Sequence, residues 1–147
     1  MSPHDLRHAI HEIVEPGVVR RTKLHLQSFG YTRGAPVDAS HVFDVRFLPN
    51  PFFVLALRLK SGLDPEIIRY LEAQPVTERY LERLQALLEL VIPEHRGEGK
   101  MRLNITVGCT GGRHRSVYVA TRVARMLEAM DAPVRLLHRD LDRESAP

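Results

Sequence analysis

Alternation opens the readable part of the chain. Leu24, Leu26 and Ser28 alternate with Lys23, His25 and Gln27, which predicts extended backbone over Val18 to Phe29. Before it, Ser2-Pro3-His4-Asp5 reads as a helix start: Ser2 as N-cap, Pro3 in the first turn and Asp5 placed to close a capping box. That helix is expected to reach Glu15 and stop at Pro16-Gly17. Gly30, Gly34 and Pro36 mark a long polar loop, and Val42 to Leu48 reads as a second strand with Asp44 and Arg46 on one side. Pro49-Asn50-Pro51 ends it, because prolines cannot donate to a ladder.

Helical spacing then takes over. Asp64 and Pro65 start a helix with Ile67, Ile68 and Leu71 inward. Pro75-Val76-Thr77 breaks and recaps the chain, and Leu81, Leu84, Leu87, Leu88 and Val91 give a longer helix its apolar face, suited to core or to a dimer interface. Arg96 to Lys100 reads as a glycine-bearing turn, Leu103 to Val107 as a strand, Arg115 to Met130 as a helix and Val134 to Leu137 as a last strand. Short apolar strands separated by helices predict one α/β domain with a mainly parallel sheet flanked by helices, whose ligands collect at the carboxyl ends of the strands. The division expected is an N-terminal helix over 1–17 and the ligand-binding domain over 18–147.

Composition narrows the class without naming a function. The 147 residues suit a single core, and 44% apolar with 27% charged is an ordinary globular balance. A formal charge of +3, carried mainly by Arg, fits an anionic small ligand and permits RNA. It fits a well-mixed charged surface equally. One cysteine precludes an internal disulfide, no run is long enough for a membrane span, and no secretory pattern opens the chain, so a cytoplasmic protein is expected.

The chemistry concentrates in Gly108-Cys109-Thr110-Gly111-Gly112-Arg113-His114-Arg115-Ser116. A glycine-bearing loop between strand and helix points backbone amides at one spot, and the helix dipole adds positive potential there. Gly111 and Gly112 are expected to supply positive φ and a close approach to ligand. Arg115 is placed to fold over bound oxygens, Thr110 or Ser116 to add a hydroxyl, and His114 either to donate to phosphate or to face solvent. A tight turn that uses glycine for packing alone is the bland alternative. No Walker loop is present, which argues against ATP hydrolysis by that route.

Cys109-x5-Arg115-Ser116 also resembles the phosphate loop of cysteine-dependent phosphatases, in which a thiolate attacks phosphorus. Gly108 stands where those enzymes usually have His, and Asp44, Asp140 and Asp142 qualify as the general acid by residue type alone. The bland reading of Cys109 is a small buried residue closing a strand.

Three blocks carry a wider resemblance: Ser28-Phe29-Gly30-Tyr31 with Gly34, Pro36, Asp38 and Ala39; Val42 through Pro51 with Ser61-Gly62-Leu63-Asp64; and Gly108 through Tyr118 with His138-Arg139. Together they resemble the C-terminal domain of the RNase adapter protein RapZ (YvcJ) family. The resemblance implies an α/β domain that senses an amino-sugar phosphate, glucosamine-6-phosphate, self-associates and, in the full adapter, presents small RNAs to an endoribonuclease. It implies ligand contacts at Cys109, Thr110, Gly111, Arg115 and Asp44, no cofactor, and regulation rather than catalysis. The family's N-terminal nucleotide-binding domain has no counterpart here, so the sensing domain alone is expected.

Some residues depart from that pattern. Phe52-Phe53 replaces a His-Trp pair, and the tail Asp140 to Pro147 is acidic where the family is often basic, which weakens the RNA reading. Arg20-Arg21-Thr22-Lys23 is a further RNA candidate, and Tyr31, Phe52 and Phe53 are as suited to packing as to base stacking. Asp44 has an alternative partner in Arg46. His4, His8 and His11 share a helical face, a weak zinc pattern with no completing ligand nearby.

Overall fold

The computed structural model describes residues 23–97 and 102–143. The predicted N-terminal helix and the 18–22 end of the first predicted strand lie outside them. Four strands, β1 (Lys23–Gly30), β2 (His41–Asp44), β3 (Arg102–Cys109) and β4 (Val134–His138), form an all-parallel sheet in the order β2-β3-β1-β4. Three helices accompany them: α1 (Pro65–Glu72), α2 (Pro75–Gly97) and α3 (Arg115–Ala129). The predicted single α/β domain with a parallel sheet is what the structure shows.

Register fixes which side chains form the core. Leu24 pairs with Leu103 and Leu26 with Ile105, so these four share a face and are buried. Val119, Ala120, Val123 and Leu127 of α3 pack on that face, and Leu81, Leu84, Leu88 and Ile92 of α2 close the layer behind it. The latter spacing puts one residue per turn or two on a single stripe. Leu87 falls off that stripe and is 41% exposed, contrary to its predicted place on the inner face, while Val91 sits half-buried at its edge.

Handedness explains where the helices lie. The β2-to-β3 and β3-to-β4 connections both step the same way across the sheet, and right-handed crossovers therefore put α1, α2 and α3 on one face. The β1-to-β2 connection steps back and belongs on the other face, but it contains only a short 3-10 turn, Tyr31–Arg33, and loop.

Several boundaries differ from the sequence reading: β3 runs on through Gly108 and Cys109, β4 through His138, and two further differences have a visible cause. β2 ends at Asp44, not Leu48: the Asp44 carboxylate accepts the Arg46 amide at 3.0 Å, and Leu48 N–H turns back to the Val45 carbonyl. A side chain that captures backbone two residues on makes a turn where apolar content alone suggests strand. The turn predicted from Arg96 is helix as far as Gly97, with Pro93 inside the last turns of α2.

Candidate functional site

The carboxyl ends of the parallel strands meet the N-terminus of α3 through the loop Thr110–His114. Gly112 takes φ +80°, a conformation that favours glycine. Gly111 does not have positive φ, and the close approach instead requires glycine at position 30, where a Cβ would stand 2.5 Å from the Gly111 carbonyl group. Gly62 is equally constrained, its virtual Cβ 2.4 Å from the His114 carbonyl, while its N–H donates to the Arg113 carbonyl at 2.7 Å. The loop is thus clamped between β1 on one side and the Ser61–Gly62 turn on the other.

Cys109 is 2% exposed, its sulfur 3.1 Å from Ser116 Oγ and accepting the Gly112 amide at 3.3 Å. Arg115 is 4% exposed. Its Nη1 donates to the carbonyls of Arg46 and Leu48, and its Nη2 to Thr110 Oγ1 at 3.3 Å. Burial pushes this arginine's pKa down; Cys109 and Asp44 pull it back up, and Arg46 adds to the lowering. The guanidinium is therefore a brace linking the loop to the segment after β2, with its charge directed beneath Thr110. Nε has no partner among the described residues.

Asp44 and Arg46 form a forked ion pair, Nη2 to Oδ2 at 2.7 Å and Nε to both oxygens, and Arg46 lies 3.9 Å over the Tyr31 ring. The hydrogen bond from Arg46 is the main cause holding the Asp44 carboxyl below its ordinary pKa. Both side chains are about half exposed, at 48% and 45%. Asp44, Arg46, Thr110, Cys109, Arg115 and Ser116 are thus gathered at one end of the sheet.

Other predicted loop residues point elsewhere. His114 is buried against the Lys60 and Arg58 carbonyls, with Nε2 unpartnered and its pKa lowered chiefly by burial, rather than facing solvent. Arg113 turns to the opposite side and donates to the Leu141 carbonyl at 2.8 Å. Phe52 packs under Arg58, whereas Phe53 is 70% exposed. Among the described residues no group of three His, Cys, Asp or Glu could hold a metal ion, and no helix is long and apolar enough to cross a membrane.

Asp140 is a structural anchor that residue type alone did not reveal. Its fully buried carboxylate accepts the Gly30 amide at 2.7 Å and pairs with Arg139 and Arg143. Burial by itself would raise its pKa; Arg139, the Gly30 amide and the Arg143 charge outweigh that and lower it. A signal was available: an acid two residues beyond the carboxyl end of a strand, where such sheets gather their sites.

A profile of the RapZ C-terminal domain matches residues 22–142. The chain belongs to that family. Relatives called "nucleotide-binding protein" agree with it throughout: 45% identity over 145 residues in Mycobacterium sp. (strain KMS), 42% over 144 in Anaeromyxobacter sp. (strain K) and 41% over 145 in Geobacter sulfurreducens. Each alignment takes 97–98% of this chain but only 48–50% of the relative. The chain spans about half the length of the curated relatives it matches. Membership in the RapZ C-terminal domain family accords with the blocks around Asp44 and Cys109, which the structure places side by side.

Proposed function

We propose that this domain is a regulatory sensor of a small phosphorylated ligand, with an amino-sugar phosphate such as glucosamine-6-phosphate as the leading candidate. The observation that carries the reading is the meeting of the Cys109–Ser116 segment, from the end of β3 to the start of α3, with Asp44 and Arg46 at the carboxyl ends of parallel strands, where such folds bind ligands. Thr110 Oγ1 accepts from Arg115, which leaves its hydroxyl proton for an external oxygen. Loop amides and the buried Arg115 charge supply positive potential for phosphate, and Arg46 adds an exposed fork. The Asp44 carboxylate suits the ammonium of an amino sugar. The relatives' names, nucleotide-binding proteins, agree with a phosphorylated ligand of some kind.

Calorimetry with glucosamine-6-phosphate, glucosamine and glucose-6-phosphate tests this. Binding that requires the phosphate and is favoured by the amine supports the reading, and indifference to all three rejects it. In the full adapter role we place the domain in the cytoplasm, as a dimer presenting RNA. Exposed Leu87 and Leu90 on α2 favour self-association, which sedimentation can test; a salt-dependent gel shift can test RNA.

A cysteine-dependent phosphatase is the second reading, favoured by the Gly112 amide and Ser116 hydroxyl on the Cys109 sulfur. Proton supply counts against it. Asp44 and Asp140 are both held ionised by arginines, and an ionised carboxylate cannot protonate a leaving group. Release of phosphate from an aryl phosphate that disappears in Cys109→Ser would restore it.

A further inference from the structure

All-parallel sheets ordinarily bury both faces. Among the described residues, the face opposite the helices is crossed only by the Tyr31-to-Ser40 connection, because the backward step from β1 to β2 carries no helix. Phe29, fully buried, and Tyr31 seal its upper part, above Gly108. Below them the loop residues Pro36 to Ala39 stand off the sheet and enclose a cavity of about 390 Å³, within the roughly 300–1,000 Å³ of small-molecule sites.

The lining mixes polar and apolar groups, and its charge is mainly positive. His25 and Gln27 of β1, Arg102 and Asn104 of β3, and Arg135 of β4 converge from three adjacent strands. Register puts Arg102 opposite Lys23 and Arg135 opposite His25, so the cations flank the central strand from both sides. Arg102 is oriented by its bonds to Asn104 Oδ1 at 3.2 Å and to His25 Nδ1 at 3.4 Å. Among the described residues, no carboxylate pairs with Lys23, Arg102 or Arg135, and Asp38 is the acidic side chain in the lining. A second copy of the chain seated here would bring these cations against their own images, which charge opposes.

We infer that this cavity is a second ligand site, separate from the Cys109–Ser116 loop, for a compact polyanion of the diphosphate class. Two guanidinium forks on either side of β1 suit two adjacent anionic groups, while Gln27 and the second amide N–H of Asn104 offer neutral hydrogen bonds to the rest. His25 reports on occupancy. Its pKa is lowered by burial first and then by Arg102, Arg135 and Lys23; Asp38 faces the same space from the loop. A bound polyanion neutralises that field and must raise the His25 pKa.

The test uses inorganic pyrophosphate with the full chain. Calorimetry and the ring-nitrogen spectrum of His25, assigned with His25→Gln, are followed in the wild type, in Arg102→Gln/Arg135→Gln and in Thr110→Val. Both arginines are exposed, so the double variant is expected to fold, and its melting curve checks this. Expected are a rise in the His25 pKa on binding, affinity at least about tenfold weaker in the double variant, and little change in Thr110→Val. No binding tighter than about 1 mM, an unmoved His25 titration, or equal affinity in the double variant would overturn the inference. Loss in Thr110→Val alone would return the binding to the loop and overturn it as well.

Discussion

Arg115 Nη1 donates to the main-chain carbonyl of Arg46 at 2.6 Å, so the residue that opens α3 also holds the turn that follows β2. The same nitrogen reaches Leu48, and Nη2 reaches Thr110. One buried cation thus fixes the distance between the loop and the Asp44–Arg46 pair. Any ligand spanning the two depends on that distance.

Arg115→Lys is expected to keep the charge and lose the fork. An ammonium cannot satisfy carbonyls on one side and Thr110 on the other. With hydrogen bonds to charged groups worth about 1.5–3 kcal/mol, a loss of about 2 kcal/mol in urea denaturation is predicted, together with weaker binding of glucosamine-6-phosphate. A stable Arg115→Lys protein that binds as the wild type does would show that the brace is dispensable.

Gly108 carries a different constraint. A Cβ there would stand 2.4 Å from Phe29 Cζ and 2.6 Å from Tyr31 Cε2, both rings in contact with each other. Gly108→Ala is predicted to cost about 1–3 kcal/mol by overpacking, and Gly108→His to fail to accumulate as folded protein. The position that holds His in cysteine phosphatases has no room for it here. A Gly108→His chain melting like the wild type would contradict this.

These residues show how far the sequence could be read. Strand–loop–helix order around Cys109 was legible because periodicity changes on either side of a glycine pair, and the parallel sheet followed from short apolar strands between helices. The end of β2 was not, since Val45, Phe47 and Leu48 look like strand, whereas one carboxylate bond from Asp44 to the Arg46 amide bends the chain. The inward turn of His114 was also hidden: it depends on the Arg58–Lys60 carbonyls, brought up by a segment more than fifty residues earlier. The placement of the three described helices on one face is a consequence of strand order, which no local pattern encodes.

Asp140 should make stability depend on acid pH. Its carboxyl titrates lower in the folded protein than in the unfolded chain, so its contribution is full above its unfolded value of about 3.9 and is lost as pH falls through the folded one. Asp140→Asn removes the charge that Arg139, Arg143 and the Gly30 amide share. Breaking a buried pair costs about 3 kcal/mol, which sets the loss expected at neutral pH. The gap between variant and wild type should narrow below about pH 4, as denaturation curves at several pH values would show; a constant gap would mean that the shared charge is not the source.

Asp44 decides whether the amine of a sugar phosphate is read. Its carboxylate is held ionised by Arg46 and remains so as pH falls until well into the acid range, so over neutral pH its charge is constant. Because the pair is about half exposed, Asp44→Asn should change stability little, within about 0.5 kcal/mol. Ligand preference should move more. If the carboxylate meets the ammonium, the variant loses roughly fivefold in affinity for glucosamine-6-phosphate, equivalent to about 1 kcal/mol, and little for glucose-6-phosphate. Below about pH 6 both ligands should weaken together as their phosphates take up a proton. Equal losses for the two sugars at neutral pH would instead assign Asp44 to positioning Arg46, whose fork would then be the group that meets the phosphate.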